Sequence, residues 1–104
     1  MINIRFLRQG EELAGFVVSG HSGFAETGSD IVCAAVSSAA YMTANTITDI
    51  LMLKPSLTER DGCLSLQLSA EEINKARGIL KGFELHMKEL EKQYPDYIKL
   101  ERGA

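Results

Sequence analysis

The stretch SLTERDGCLSLQLSAEEINKARGILKGFELHMKELEKQYP, residues 56–95, decides the fold class. Two short runs, 56–60 and 63–68, flank Asp61-Gly62. That dipeptide is a strong hairpin signal, because both central residues of a type I′ turn take positive φ. Leu64, Leu66 and Leu68 fall on one side of the second run, and Cys63, Ser65 and Gln67 on the other, as a half-buried strand requires. Ser69 follows as a helix N-cap, and Glu72, three residues on, completes a capping box. Ile73, Ala76, Leu80, Phe83, Met87, Leu90 and Tyr94 then recur in steps of three and four. They form one apolar seam on a helix, which Pro95 ends. A hairpin running straight into an amphipathic helix predicts a sheet with a helix laid across it.

The first half of the chain has the same order. Ile2, Ile4 and Phe6 alternate with Asn3 and Arg5, which predicts a strand. Gln9, Gly10, Glu11 and Glu12 read as a turn, and residues 13–19 as the second strand of a hairpin. Residues 20–30, GHSGFAETGSD, read as a loop because glycine, serine and threonine dominate them. They lack the Gly-Lys-Ser/Thr ending of a phosphate-binding loop. A helix is expected from Asp30 or Ile31 to Leu53, capped by Gly28, Ser29 or Asp30. Its buried stripe would be Val32, Val36, Ala40, Thr43, Ile47, Ile50 and Leu51. Residues 97–102 alternate again as a last strand. The order ββαββαβ predicts an α+β domain with a largely antiparallel or mixed sheet and two long helices.

The chain has 104 residues, of which 45% are hydrophobic and 24% charged, with a net charge of -3. One domain over residues 1–104 with a real core is expected, and general disorder is excluded. The acidic balance argues against direct nucleic-acid binding, which wants a basic patch. Arg5 and Arg8 face Glu11, Glu12, Glu26, Asp30 and Asp49 in residues 1–52, so a working site in that half would favour a basic partner. The N-terminus reads as a strand and not as a signal peptide. No apolar run is judged to approach membrane-spanning length. A cytoplasmic protein with reduced thiols is expected.

The two cysteines, Cys33 and Cys63, form no CxxC pair and have no zinc-ligand spacing. Cys33 is placed in the first turn of its helix, where unpartnered N–H groups and the helix dipole favour thiolate. His21 lies twelve residues upstream on the glycine-bearing loop. A strand end and a helix start can bring the two together, giving a thiolate nucleophile with an imidazole base. Free N–H groups near Cys33 would also stabilise an oxyanion. Asp30 reads either as an orienting partner for His21 or as the helix cap. Ser37, one turn after Cys33, reads either as a hydrogen-bond donor to thiolate or substrate or as a small packing residue. Cys63 reads as a buried strand residue and His86 as a solvated one. Gly78 and Gly82, each costing about 1 kcal/mol against alanine in a helix, suggest a close approach to the sheet, the other helix or a second subunit.

The stretch GHSGFAETGSDIVCAAVSSAAYMTANTI, residues 20–47, resembles the signature of the Prp family of bacterial ribosomal-processing cysteine proteases. Gly20, His21, Gly23, Gly28, Asp30, Ile31, Val32, Cys33, Ala34, Ala35, Val36 and Ser37 stand where that family has them. Ser22 replaces the family's usual alanine. The resemblance implies a cysteine endopeptidase that removes the N-terminal extension of the large-subunit ribosomal protein L-twenty-seven. It implies a Cys33/His21 dyad, with Asp30 and Ser37 as supporting residues, and a loop bearing Gly20, Gly23 and Gly28 that moves to admit substrate. It further implies a homodimer without metal or cofactor. A noncatalytic ribosome-associated peptide-binding module is the alternative. An acyl-transfer or thiol-redox enzyme is a third reading, against which the absence of a nearby resolving cysteine counts.

Overall fold

The computed structural model describes residues 1–20 and 27–101. Strands β1 (Ile2–Gln9) and β2 (Glu12–Ser19) form the first hairpin, and helix α1 covers Thr27–Asn45. A π-helical turn, Thr46–Ile50, continues α1. Strands β3 (Ser56–Arg60) and β4 (Cys63–Gln67) form the second hairpin. Helix α2 (Ala70–Ile73), a 3₁₀ turn (Asn74–Ala76) and helix α3 (Arg77–Gln93) follow, and β5 (Ile98–Glu101) closes the described chain. The single late helix expected from the apolar seam is therefore interrupted by one tight turn. Its seam is unbroken: Ile73, Ala76, Leu80, Phe83, Met87 and Leu90 are all buried.

The five strands form one sheet in the order β3-β4-β2-β1-β5. All neighbours are antiparallel except β1 and β5, which are parallel. The sheet is thus mixed, and the chain-order expectation holds. Ile2, Ile4, Phe16, Leu64, Leu66, Ile98 and Leu100 are buried, and they share one core with α1 and α3. Their alternation with Asn3, Arg5, Ser65 and Lys99 turns one sheet face to the helices. Phe83 of α3 anchors the layer, its ring 4.7 Å from Phe16 and 5.6 Å from Phe6.

The first helix departs from expectation at both ends. It begins at Thr27, so Gly28, Ser29 and Asp30 lie inside its backbone and none is the N-cap. Thr, Ser and Asp are tolerated in a first turn, and the polar composition that reads as loop does not stop the helix there. At the other end Val32, Val36, Ala40, Thr43 and Ile47 are buried, but Ile50 is 73% exposed. The π turn explains this. The Leu51 N–H donates to the Thr46 carbonyl at 2.8 Å, which adds a residue to the turn and rotates Ile50 outward. By length and hydropathy alone Ile31–Ile50 could cross a membrane, contrary to the sequence reading. Its apolar stripe is packed into this core instead. Buried Thr43 is satisfied by donating to the Ala39 carbonyl at 2.8 Å.

The capping pair at Ser69 and Glu72 is present and does more than cap. The Glu72 carboxylate accepts from the backbone N–H of Ser69 and from that of Lys54, each at 2.9 Å. It therefore ties the exit from α1 to the start of α2. These two bonds hold the Glu72 carboxyl below its ordinary value, Ser69's contribution being the larger.

Two outcomes test this packing. A Cβ on Gly15, whose φ is +156°, would lie 2.0 Å from the Leu66 carbonyl oxygen on the neighbouring strand. Gly15→Ala should lower unfolding stability by about 1–3 kcal/mol, measured by urea denaturation. Because its folded value is depressed, Glu72 stabilises the fold above its unfolded pKa, and that contribution is lost as pH falls through the folded value. Glu72→Ala should thus be less stable than wild type at neutral pH, the gap narrowing in acid; a gap independent of pH would contradict the assignment.

Candidate active site

Helix α1 carries two working faces side by side. Val32, Val36 and Ala40 are buried, whereas Cys33, Ser37 and Tyr41 border an open groove of about 570 Å³. The spacing i, i+4, i+8 puts these three in one row. The opposite wall is the tip of the β3–β4 hairpin, where Glu59, Asp61 and Gly62 border the same groove. Cys33 and Ser37 are half-buried, so the thiol is supported by packing yet open to a ligand.

The helix start changes the electrostatics expected for Cys33. Helix α1 begins six residues before it, at Thr27. The N–H groups without intrahelical partners therefore lie no later in the chain than Ser29, and the dipole's effect fades within that first turn. Cys33 sits in the second turn, so its neighbours' N–H groups are inside the helical ladder and form no oxyanion site there.

His21 and Gly23 lie outside the described residues. Gly28 and Asp30 are described only as helical backbone. Gly20, the last described residue before His21, has φ +81°, and its N–H donates to the Gly62 carbonyl at 3.0 Å. A Cβ there would meet the Met1 carbonyl oxygen at 2.6 Å. Only glycine turns the chain at this point, between the N-terminus and the hairpin tip that walls the groove. The chain thus leaves β2 for His21 at the rim of the groove that holds Cys33.

Two further expectations change, for Cys63 and for the glycines of α3, while that for His86 as a solvated residue holds. Cys63 is half-buried and borders the same groove as Cys33, so a second thiol stands closer to the site than sequence separation suggests. The pleat nevertheless sets Cys63 in the row of Ser19 and Arg60, alternate to core-facing Leu64. Added Cβ atoms on Gly78 and Gly82 would meet open space, so neither glycine marks a close approach to the sheet or to α1. His86 is exposed on α3 and does not border the groove. Tyr41 and Glu59 went unnoticed in the sequence. Tyr41 could have been found by extending the Cys33–Ser37 spacing one turn, but only the fold brings Glu59 to it. The Tyr41 hydroxyl donates to the Glu59 carboxylate.

The comparisons with known proteins agree with this architecture. The family described as cysteine protease Prp matches residues 1–99. The ribosomal processing cysteine protease Prp of Bacillus subtilis (strain 168) is 27% identical over 94 residues, covering 85% of this chain and 84% of that protein. The fold matches that of the essential ribosomal processing protease Prp from S. aureus, solved in complex with a substrate peptide, with a TM-score of 0.86. That match has 22% identity and covers 97% of this chain and 98% of the other. SMU.848 from Streptococcus mutans matches with a TM-score of 0.85 and 28% identity, over 97% of this chain and 92% of that one. The chain is a cysteine protease, and the family to which it belongs is Prp. Membership leaves the noncatalytic reading without support.

The geometry at Gly20 makes one prediction. Gly20→Ala should reduce peptide cleavage by about tenfold or more, since small misplacements of reacting groups are costly, while far-ultraviolet circular dichroism stays native-like. Unchanged cleavage would show that the direction of the chain leaving β2 is immaterial to the site.

Proposed function

We propose that the protein is an endopeptidase that removes the N-terminal extension of the large-subunit ribosomal protein L-twenty-seven, with Cys33 as nucleophile and His21 as general base and acid. The observation that carries this reading is the placement of Cys33. It is the one thiol on the α1 row that faces the groove, in a chain that belongs to a cysteine protease family. The named relatives are a ribosomal processing cysteine protease and a ribosomal processing protease solved with a substrate peptide, which supports a peptide substrate here.

The chemistry follows from the residue types. His21 accepts the proton of the Cys33 thiol, and Sγ attacks the scissile carbonyl carbon. The C–N bond breaks as His21 returns the proton to the departing amine. A thioester then joins Cys33 to the N-terminal fragment. Water attacks that thioester while His21 takes its proton, which passes to the leaving thiolate and regenerates the thiol. Ser37, one turn along, supports the substrate or the thiolate by hydrogen bonding. Asp30 supports His21. The segment bearing Gly20 and Gly23 moves to admit substrate, whereas Gly28, which the resemblance assigns to that loop, belongs to the backbone of α1. No step calls for a metal or cofactor.

The same reading includes a cytoplasmic homodimer. Gly78 and Gly82 lie on the exposed side of α3, and Leu85 on the same helix is 64% exposed. Of the three partners those glycines suggest, the second subunit is the one that the intrachain packing leaves available.

The test is mass spectrometry of a peptide spanning the extension, incubated with wild type, Cys33→Ala and His21→Ala. One discrete cut by wild type is expected, with losses of at least about a hundredfold in each variant, as for removal of a nucleophile or base. Full activity in Cys33→Ala would overturn the proposal. Light scattering of the wild type reads the dimer independently.

A further inference from the structure

The row Cys33–Ser37–Tyr41 continues away from the thiol and meets the second hairpin at its far end. There the Tyr41 hydroxyl donates to the Glu59 carboxylate, joining α1 to the edge strand β3 across the groove. Among the described residues that hydroxyl is the only partner of Glu59, and no cation pairs with it. Residues 21–26 contain no lysine or arginine. Arg60, next in sequence, borders the groove too, but it pairs with Cys63 in the alternate row and no ion pair joins it to Glu59; Asp61 adds a second carboxylate to the same wall. The carboxylate is therefore oriented by a neutral donor, and its charge is left for something that enters the groove.

The distance to the thiol follows from helix geometry. Tyr41 is eight residues from Cys33, about 12 Å along the axis at about 1.5 Å per residue. An extended peptide advances about 3.3 Å per residue, so the pair would meet the third or fourth residue from the bond held at Cys33. We propose that Tyr41 and Glu59 form a specificity subsite for a cationic side chain, lysine or arginine, at that position of the substrate. The inference rests on the groove being the peptide site and adds to it a rule for which peptides are cut. Glu59 supplies the charge, and Tyr41 holds its carboxylate toward the groove while its ring forms the wall.

The experiment uses a peptide that the wild type cleaves, remade with lysine, glutamine or glutamate singly at the third and fourth positions on each side of the cut. The readout is the ratio of kcat/KM for the lysine and glutamate peptides within each enzyme, so a variant of lower overall activity remains informative. Wild type should prefer lysine over glutamate by about five- to tenfold at one position, the scale of partly exposed charge pairs. Glu59→Gln should bring the ratio close to one, and Glu59→Lys should invert it. Tyr41→Phe should weaken the preference, and raised salt should shrink it in the wild type. A wild type indifferent to charge at all four positions, or a preference that survives in Glu59→Lys, would overturn the subsite while leaving the protease reading intact. An undiminished preference in Tyr41→Phe would remove Tyr41 from it. If the wild type cleaves none of these peptides, nor the parent, the protease reading falls and the subsite with it.

Discussion

The packing of α1 is the constraint on which the rest of the molecule depends. Val32, Val36, Ala40, Thr43 and Ile47 are essentially excluded from solvent, and each could be moved only by opening the core. Burying each of Val32, Val36 and Ile47 contributes about 1.5–3 kcal/mol, so this stripe fixes the rotation of the helix about its axis. Once that rotation is fixed, the adjacent row of Cys33, Ser37 and Tyr41 must face the groove. The Cys33 thiol is therefore positioned by apolar contacts on the neighbouring face. Small residues at Ala34, Ala35, Ser38 and Ala39 leave the backbone around it uncluttered.

The start of α1 sets where the helix dipole acts. With the helix beginning at Thr27, the favourable end of the dipole lies a turn before Cys33. Gly20 is bonded to Gly62 and backed by Met1. The N-terminus, the end of β2 and the β3–β4 turn thus meet at one point beside the groove, and the hairpin tip serves both as wall and as support for Gly20.

Much of the fold was legible in the sequence because its signals are local. Asp61-Gly62 specifies a hairpin, and the seam from Ile73 to Leu90 specifies a helix face, whatever surrounds them. The errors arose where tertiary packing overrides local composition. Polar residues 27–30 read as loop and are helical. Ile50 reads as core and is exposed, since one extra residue in a π turn rotates it outward. Gly78 and Gly82 suggest close packing and face open space within the chain. In the site, Cys33 and Ser37 were legible from one helix's periodicity. The opposite wall was not, because no spacing rule links Glu59 or Cys63 to α1. Only the strand order β3-β4-β2 brings them to the groove.

The central claim is that Cys33 forms a covalent bond to the N-terminal fragment of a cleaved peptide. Acid-quenched enzyme, mixed briefly with substrate and digested for peptide mapping, tests it most directly. The account predicts a transient thioester that adds the mass of the N-terminal product to the peptide containing Cys33 and is discharged by hydroxylamine. Product release with no adduct on Cys33 at any time, or an adduct on Cys63 in its place, would contradict it.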